Sequence, residues 1–272
     1  MGKYFGTDGV RAVAGQFPLV DDFIEKLGFC AVEKMTATPS GRQRKKQVVI
    51  ARDTRLSGPA ILQSLSRGIR AAGADVLDMG ISPTPSVADA VKQTGALCGV
   101  VISASHNPPQ FNGIKFFTPE GTKLPEGLEN EIEAALEKQG PLPPQTGQHL
   151  GAGELVEGYK QFLMSTVEAS LLQGTKVVLD CANGAAYQIA PAVFRALGME
   201  VITLADQNDG AHINEGVGAL HTEKMQAAVQ KEKAYVGFSF DGDADRVIAA
   251  DETGRQLDGE YIIAAAALAL KA

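Results

Sequence analysis

Short β-branched runs and amphipathic stretches alternate along most of the chain, the pattern of a parallel α/β sheet. Residues 47–51 (QVVIA) predict a strand. After it, Ile61, Leu62, Leu65, Ile69 and Ala72 fall on one face of a helix, with Ser57 placed to cap it. Residues 75–79 predict a second strand, 84–94 a second helix and 99–103 a third strand. The order then returns, with strands at 176–180, 200–204 and 235–240 and helices at 185–197 and 222–230. Two strand–helix–strand–helix–strand units therefore follow one another, alike in topology but not in residues. The expected class is α/β: two similar three-layer α/β domains with mixed, mainly parallel sheets.

Residues 139–147 (QGPLPPQTG), rich in Pro and Gly, read as a linker or long surface connection between the units. A boundary is expected near residue 150, with domains over 1–150 and 151–258. Residues 264–272 (AAAALALKA) form a good helix with no C-cap glycine behind it. With 259–263 they are expected to begin a truncated third domain or a linker helix.

Composition narrows the class without naming a function. A chain of 272 residues, 44% hydrophobic and 21% charged, fits a soluble globular protein with one or two cores. Net charge of −7 disfavours a nucleic-acid or anionic-membrane partner. The one basic run, with Arg42, Arg44, Lys45 and Lys46, reads as a solvated loop before a strand. Three scattered cysteines suit a reducing cytoplasm and form no metal pattern. The start has no apolar signal core, Gly6 breaks the myristoylation pattern, and the apolar stretch at 261–270 is too short for a bilayer. A soluble cytoplasmic protein is expected.

The most unusual loop of each unit follows its third strand, at the carboxyl end where open parallel sheets bind ligands. The first is Ser103-Ala104-Ser105-His106-Asn107-Pro108-Pro109. Its two prolines would hold an exposed hydroxyl rigidly, as a nucleophile needs, but a plain Ser/Asn/Pro turn has the same composition. Neither a Gly-x-Ser-x-Gly elbow nor a P-loop is present. The second loop is Asp241-Gly242-Asp243-Ala244-Asp245-Arg246. Carboxylates at i, i+2 and i+4 can share one side of an extended segment, where they repel unless a cation joins them. Such oxygens suit Mg²⁺. A solvated acidic turn is the alternative. An EF-hand-like Ca²⁺ loop is disfavoured, because the bidentate glutamate expected near its end, to be sought at position 252, is read as missing, and what leads there is a strand.

Other cations could bind phosphate or simply lie on the surface: Arg11 in the loop Phe5-Gly6-Thr7-Asp8-Gly9-Val10-Arg11, Arg52 and Arg55, and Lys115 in Asn112-Gly113-Ile114-Lys115-Phe116-Phe117. His149, His212 and His221 are isolated by spacing and are not expected to be ligands.

With these segments in view, a family resemblance can be stated. Ser103-Ala104-Ser105-His106-Asn107-Pro108 resembles the phosphoserine loop of the α-D-phosphohexomutases, and Asp241-Gly242-Asp243-Ala244-Asp245-Arg246 resembles their metal loop. The residues from Tyr4 to Arg11, from Asn112 to Phe117 and from Leu179 to Ala185, with Ile213-Asn214 and Gly218-Ala219-Leu220-His221, look most like the amino-sugar branch. The similarity runs from about residue 3 to the end, but covers only the first two of the family's four domains.

The resemblance implies that phosphorylated Ser105 gives its phosphoryl group to the 1-hydroxyl of glucosamine 6-phosphate. The bisphosphate turns round and its 6-phosphoryl group returns to Ser105, yielding glucosamine 1-phosphate for UDP-N-acetylglucosamine and cell-wall synthesis. One Mg²⁺ would be held by Asp241, Asp243, Asp245 and a phosphate oxygen on Ser105. Arg11, Arg246 and Lys115 would position phosphate, and Lys115 or His106 would move a proton. The implied partners are a hexosamine phosphate and a hexose bisphosphate, with no nucleic acid and no membrane. Two alternatives stay open: a branch acting on glucose or mannose phosphates, and a non-catalytic two-domain binding module.

Overall fold

Val48, Val49, Ile50 and Ala51 are all buried, so successive side chains on both faces of one strand are apolar. Such a strand needs helices on either side of its sheet. The computed structural model, which describes residues 2–271, supplies them in two units. Met1 and Ala272, which the readings of the chain's start and of residues 259–272 include, lie outside the described residues. One unit runs to Ala104 and resumes over Gln110–Tyr159; the other joins Ser105–Pro109 to the chain from Lys160 onward.

The first unit contains β1 (Val10–Val13), α1 (Asp21–Ala37), β2 (Lys45–Arg52), α2 (Gly58–Ala71), β3 (Asp75–Ile81), α3 (Thr84–Thr94), β4 (Ala96–Ile102), β5 (Phe111–Phe117), α4 (Glu126–Leu136) and β6 (His149–Gly151). Helix α5 (Gly153–Ser165) begins in this unit, and the division falls within it. The sheet order is β1-β5-β4-β2-β3-β6. β4, β2, β3 and β6 are mutually parallel, and β5 and β1 return antiparallel. Ile24 and Leu27 of α1, Leu65 and Ile69 of α2 and Ile132 of α4 cover one face with Val48, Ile50 and Val100. Val87 and Val91 of α3 cover the other with Val49, Ala51 and Val101.

The second unit repeats the plan with β7 (Lys176–Asp180), α6 (Ile189–Ala196), β8 (Glu200–Leu204), α7 (Glu223–Glu232), β9 (Val236–Phe240), β10 (Val247–Asp251), β11 (Gln256–Leu257) and α8 (Gly259–Lys271). Its order is β11-β10-β9-β7-β8, with β9, β7 and β8 parallel and β10 and β11 antiparallel. Phe194 of α6 packs with Val177 and Leu179 on one face, and Met225 and Val229 of α7 with Val178 on the other. In both units the third parallel strand sits beside the first and is followed by an antiparallel return. The serine loop between β4 and β5 and the acidic loop between β9 and β10 are therefore topologically equivalent.

Several expectations need correction. Ser57 does occupy the N-cap of α2, but makes no capping bond; its hydroxyl accepts from Asn112 Nδ2 at 2.8 Å instead. Helix α6 starts at Ile189 rather than 185, because Ala185 N is drawn off to Gly242 O at 2.8 Å. The basic run is pinned: Arg42 donates to Ala37 O, Arg44 meets Glu120, and Lys46 meets Glu33. The Pro/Gly stretch ends docked on α2, where Thr146 N and Gly147 N donate to Arg70 O. Cys30, Cys98 and Cys181 are buried thiols. Burial pushes Cys98 up to about 12. No helix among the described residues is long and apolar enough to cross a membrane.

Helices α1 and α2 touch backbone to backbone at Gly68, where a Cβ would stand 1.8 Å from Glu25 O. Gly68→Ala must push the two helices apart. Urea unfolding should show a loss of about 3 kcal/mol, the upper end of overpacking costs, despite alanine's better helix propensity.

Candidate functional site

The chain enters the serine loop from a buried anchor. Ser103 Oγ donates to Asp53 Oδ2 at 2.6 Å, and the same carboxylate accepts from Arg55 Nε at 2.9 Å and, through Oδ1, from Arg55 N at 2.9 Å. Arg55 in turn donates to Phe111 O at 2.9 Å, so one buried ion pair ties the end of β4 to the start of β5. All three side chains are inaccessible to solvent, and breaking such a pair would strand a charge at a cost of about 3–5 kcal/mol.

Beyond Ala104 the loop belongs to the second unit. Ser105 is held at φ 55°, in the left-handed region that a side chain disfavours. Asn214, itself at φ 62°, donates from Nδ2 to Ser105 O at 2.9 Å and to Asn107 O at 3.1 Å. Gly242 closes in beneath, where a Cβ would stand 2.6 Å from Ser105 O. The buried Ser105 hydroxyl donates to Asp241 Oδ2 at 2.6 Å and accepts from Arg246 Nη2 at 2.9 Å. His106 Nδ1 stands 3.4 Å from the same oxygen.

Asp241, Asp243 and Asp245 each offer an oxygen within 4.8 Å of the others. Asp241 and Asp243 are buried, and Asp245 is exposed. The loop is shaped by Ala244 N on Asp241 O at 3.0 Å and by Arg246 N on Asp241 Oδ1 at 3.1 Å. Burial, then the neighbouring Asp243 charge, pushes Asp241 up to about 7. Arg246 Nε lies 3.7 Å from both Asp241 and Asp245, and one half-exposed guanidinium only partly offsets three carboxylates. A hard divalent cation fits this donor set: its oxygens converge and it carries surplus negative charge.

The case against a Ca²⁺ loop changes in its grounds. Position 252 does hold a glutamate, but β10 runs antiparallel to β9 and carries Glu252 past the start of that strand. Five residues of strand, roughly 16 Å, separate it from the acidic loop.

Arg11 and Lys115 belong to the first unit, where Asp8 joins them: Arg11 Nη2 binds Asp8 Oδ2, and Lys115 Nζ meets the same oxygen at 2.9 Å. Lys115 is buried. Asp8 stands inside the motif that singled out Arg11, and the shared spacing with a cation was its only signal. His212 pairs with Asp209 at 2.6 Å and His149 with Asp78 at 3.2 Å, both away from the acidic loop's own contacts. Asp53 carries no functional signal in a single sequence, and Asn214 and Asp180 enter only as part of the segments that resemble the family, with no role assigned. Asp180 is buried, accepts from Ala182 N and Gly218 N at 3.0 and 2.7 Å, and binds the loop after β7 to the segment leading into α7.

Family models match both units: the phosphoglucomutase/phosphomannomutase α/β/α domain I over residues 2–142 and domain II over 155–254. The chain belongs to the phosphoglucomutase/phosphomannomutase family. Within it, the chain is 45% identical over 266 residues to a phosphoglucosamine mutase of Chromohalobacter salexigens, covering 96% of this chain and 58% of that protein. A phosphoglucosamine mutase of Aliivibrio fischeri is 46% identical over 274 residues, covering 98% and 60%. The chain thus spans about three fifths of the length of the curated relatives it matches. A crystal structure of a phosphoglucomutase/phosphomannomutase family protein from Burkholderia thailandensis superposes with a TM-score of 0.79 at 29% identity, covering 93% of this chain and 55% of that one. The two α/β units with mixed sheets are the family's first two domains.

Two outcomes follow from the geometry. The folded state holds the Asp241 proton more tightly than the unfolded chain, whose value is near 3.8. With chelator present, Asp241's contribution to stability should be fully present below that value and be lost as pH rises, until Asp241 is ionised in both states above about 7. Asp241→Asn should flatten this slope, as read by thermal melting across pH. Asn214→Ala should cost about 2–3 kcal/mol by removing two bonds to loop carbonyls and leaving alanine left-handed. Asn214→Gly, which tolerates that φ, should cost less in the same denaturant titration.

Proposed function

We propose that this chain carries the phosphoryl-transfer half of a phosphoglucosamine mutase, interconverting glucosamine 6-phosphate and glucosamine 1-phosphate through phosphorylated Ser105 and a bisphosphate intermediate. The observation that carries this reading is the Ser105 hydroxyl held between Asp241 at 2.6 Å and Arg246 at 2.9 Å, beside the carboxylate cluster. The amino sugar is supported by the relatives' identity of 45–46%.

In the forward step the bond between phosphorus and Ser105 Oγ breaks as phosphorus bonds to the sugar's 1-hydroxyl oxygen, whose proton passes to a base. In the return step the 6-phosphoryl group moves to Ser105, and the proton leaving Oγ is taken by His106, whose Nδ1 is 3.4 Å away. Arg246 follows the phosphoryl oxygens, since its guanidinium already donates to the oxygen that carries them. Asp241, Asp243, Asp245 and a phosphate oxygen on Ser105 would hold Mg²⁺. When bound, Mg²⁺ supplies charge neutralisation to the transferring phosphoryl group. Arg11 serves phosphate binding and Lys115 a second proton transfer, both set in place by Asp8. In this reading residues 1–150 and 151–258 correspond to the family's domains I and II, residues 259–272 begin a third domain or form a linker helix, and the protein works in the cytoplasm on hexose phosphates.

Incubation with a hexose 1,6-bisphosphate and Mg²⁺ should make the intact chain one phosphate heavier, and Ser105→Ala should abolish the gain. Phosphate mapped to Ser103 or Ser239 would overturn the assignment. In calorimetry Asp243→Ala should weaken Mg²⁺ by at least about tenfold, the scale of lost metal-site contacts.

A further inference from the structure

The first unit contains a cavity of ≈ 490 Å³ that shares no residue with the serine or acidic loops. One wall is helix α2, which presents Pro59, Leu62, Ser66 and Arg70 to it along a single stripe. The opposite side is the sheet edge at β3 and β6, with Asp78 and His149, and Arg52 closes the end where β2 stops. The size suits a small molecule rather than a single ion.

Its charge is unusual for a chain whose net charge is −7. Three arginines line it, Arg52, Arg67 and Arg70, against one acidic residue, Asp78. Asp78 is already engaged by His149 Nε2 at 3.2 Å and by Gly80 N at 2.8 Å. Arg67 is paired with Glu25 at 2.7 Å. Arg52 and Arg70 are different. Each is half-buried, yet among the described residues each donates only to a backbone carbonyl: Arg52 to Asp53 O at 3.3 Å, and Arg70 to Gly147 O at 2.9 Å. Neither has a carboxylate partner, and a guanidinium offers five N–H donors.

A second observation points to a ligand. Ser66 is 3% exposed, and its hydroxyl, on the cavity wall, finds no hydrogen-bond partner. A buried hydroxyl left unbonded is costly, and an acceptor entering the cavity would relieve it. Half-buried arginines without counter-ions together with an unused hydroxyl donor select an anion, and guanidinium forks match phosphate best.

The spacing of the arginines sharpens this. The Arg52 stem lies against α2 at Gly58, where its Cδ would be 3.2 Å from an added Cβ. Arg70 is twelve residues further along the same helix, roughly 18 Å of rise. Arginines based at the two ends of one cavity suit two anionic groups better than one. We propose that this cavity binds a small molecule bearing two phosphate groups, one toward Arg52 and the other toward Arg70, with Ser66 donating to it and Pro59 and Leu62 against its body.

The inference is independent of the proposed mutase chemistry, and its test is kept separate from it by working with the Ser105→Ala chain in the presence of chelator. Titration calorimetry would compare inorganic phosphate, pyrophosphate, a nucleoside diphosphate and a hexose 1,6-bisphosphate. At least one two-phosphate probe should bind about tenfold or more tightly than inorganic phosphate, which corresponds to 1.4 kcal/mol. Tighter pyrophosphate and nucleoside diphosphate would mean adjacent phosphates; tighter hexose bisphosphate would mean separated ones. Arg52→Gln and Arg70→Gln should each weaken that probe at least tenfold. Ser66→Ala, which removes no hydrogen bond of the hydroxyl, should weaken it several-fold with melting unlowered or raised. Affinity unchanged in Arg52→Gln and Ser66→Ala, or no saturable binding of any probe up to about 10 mM, would overturn the proposal.

Discussion

Like-charge crowding governs the second unit. Three carboxylates offering oxygens within 4.8 Å of one another would, if all were ionised, repel by about 3 kcal/mol per pair at the effective dielectric of a protein. The surroundings can be understood as responses to that pressure. Asp241 takes up a proton more readily than a normal carboxylate, and a Ser105 hydroxyl and the Arg246 backbone N–H both donate to it. The arginine side chain leans across two of the three acids. Ser105 is thus drawn to the cluster by its own hydrogen bond, which holds its hydroxyl oxygen beside the carboxylates.

Holding that arrangement requires backbone that the chain would not choose freely. Ser105, Ala182, Asn183, Asn214 and Ala244 all have positive φ, and all lie in the loops that build or brace this site. Each costs on the order of 1–2 kcal/mol in a non-glycine residue. The retaining forces are specific: Asn214 on two loop carbonyls, Asp180 on two backbone N–H groups, and Gly242 packed where no side chain would fit. The strain is local, and the flat apolar strands β7 and β9 beneath carry none of it.

How much of this could be read beforehand depended on the kind of signal. Parallel strands such as β2 and β7 were legible because burial on both faces leaves unbroken apolar runs, and β7 and the half-buried, β-branched β8 fall where the pattern put them. The antiparallel returns β1 and β5 were not singled out: VRAV is short and of mixed burial, and in FNGIKFF Asn112 and Lys115 interrupt the apolar run although the strand is buried. Ser105 and the three aspartates stood out because their loops are chemically odd and close to a strand end. The bracing contacts of Asn214 and Asp53 did not, because a residue that acts through backbone carbonyls or a buried ion pair gives no sign of its partners in the sequence. Helix α6 was overextended at its start for a related reason: nothing local in residues 185–188 says that the Ala185 amide is claimed by a loop far along the chain.

The hydrogen bond from Ser105 to Asp241 spans 136 positions. A ribosome adding about 5–20 residues per second therefore delivers the second partner roughly 7–27 s after the first. For that interval β4 and β5 can pair and Asp53 can secure Ser103, since all of those parts are already made. The five residues Ser105–Pro109 cannot reach their final conformation, because Asn214 and Gly242 do not yet exist. During synthesis the serine therefore waits on a finished scaffold as an unformed loop, and it becomes a site only when the second sheet closes on it.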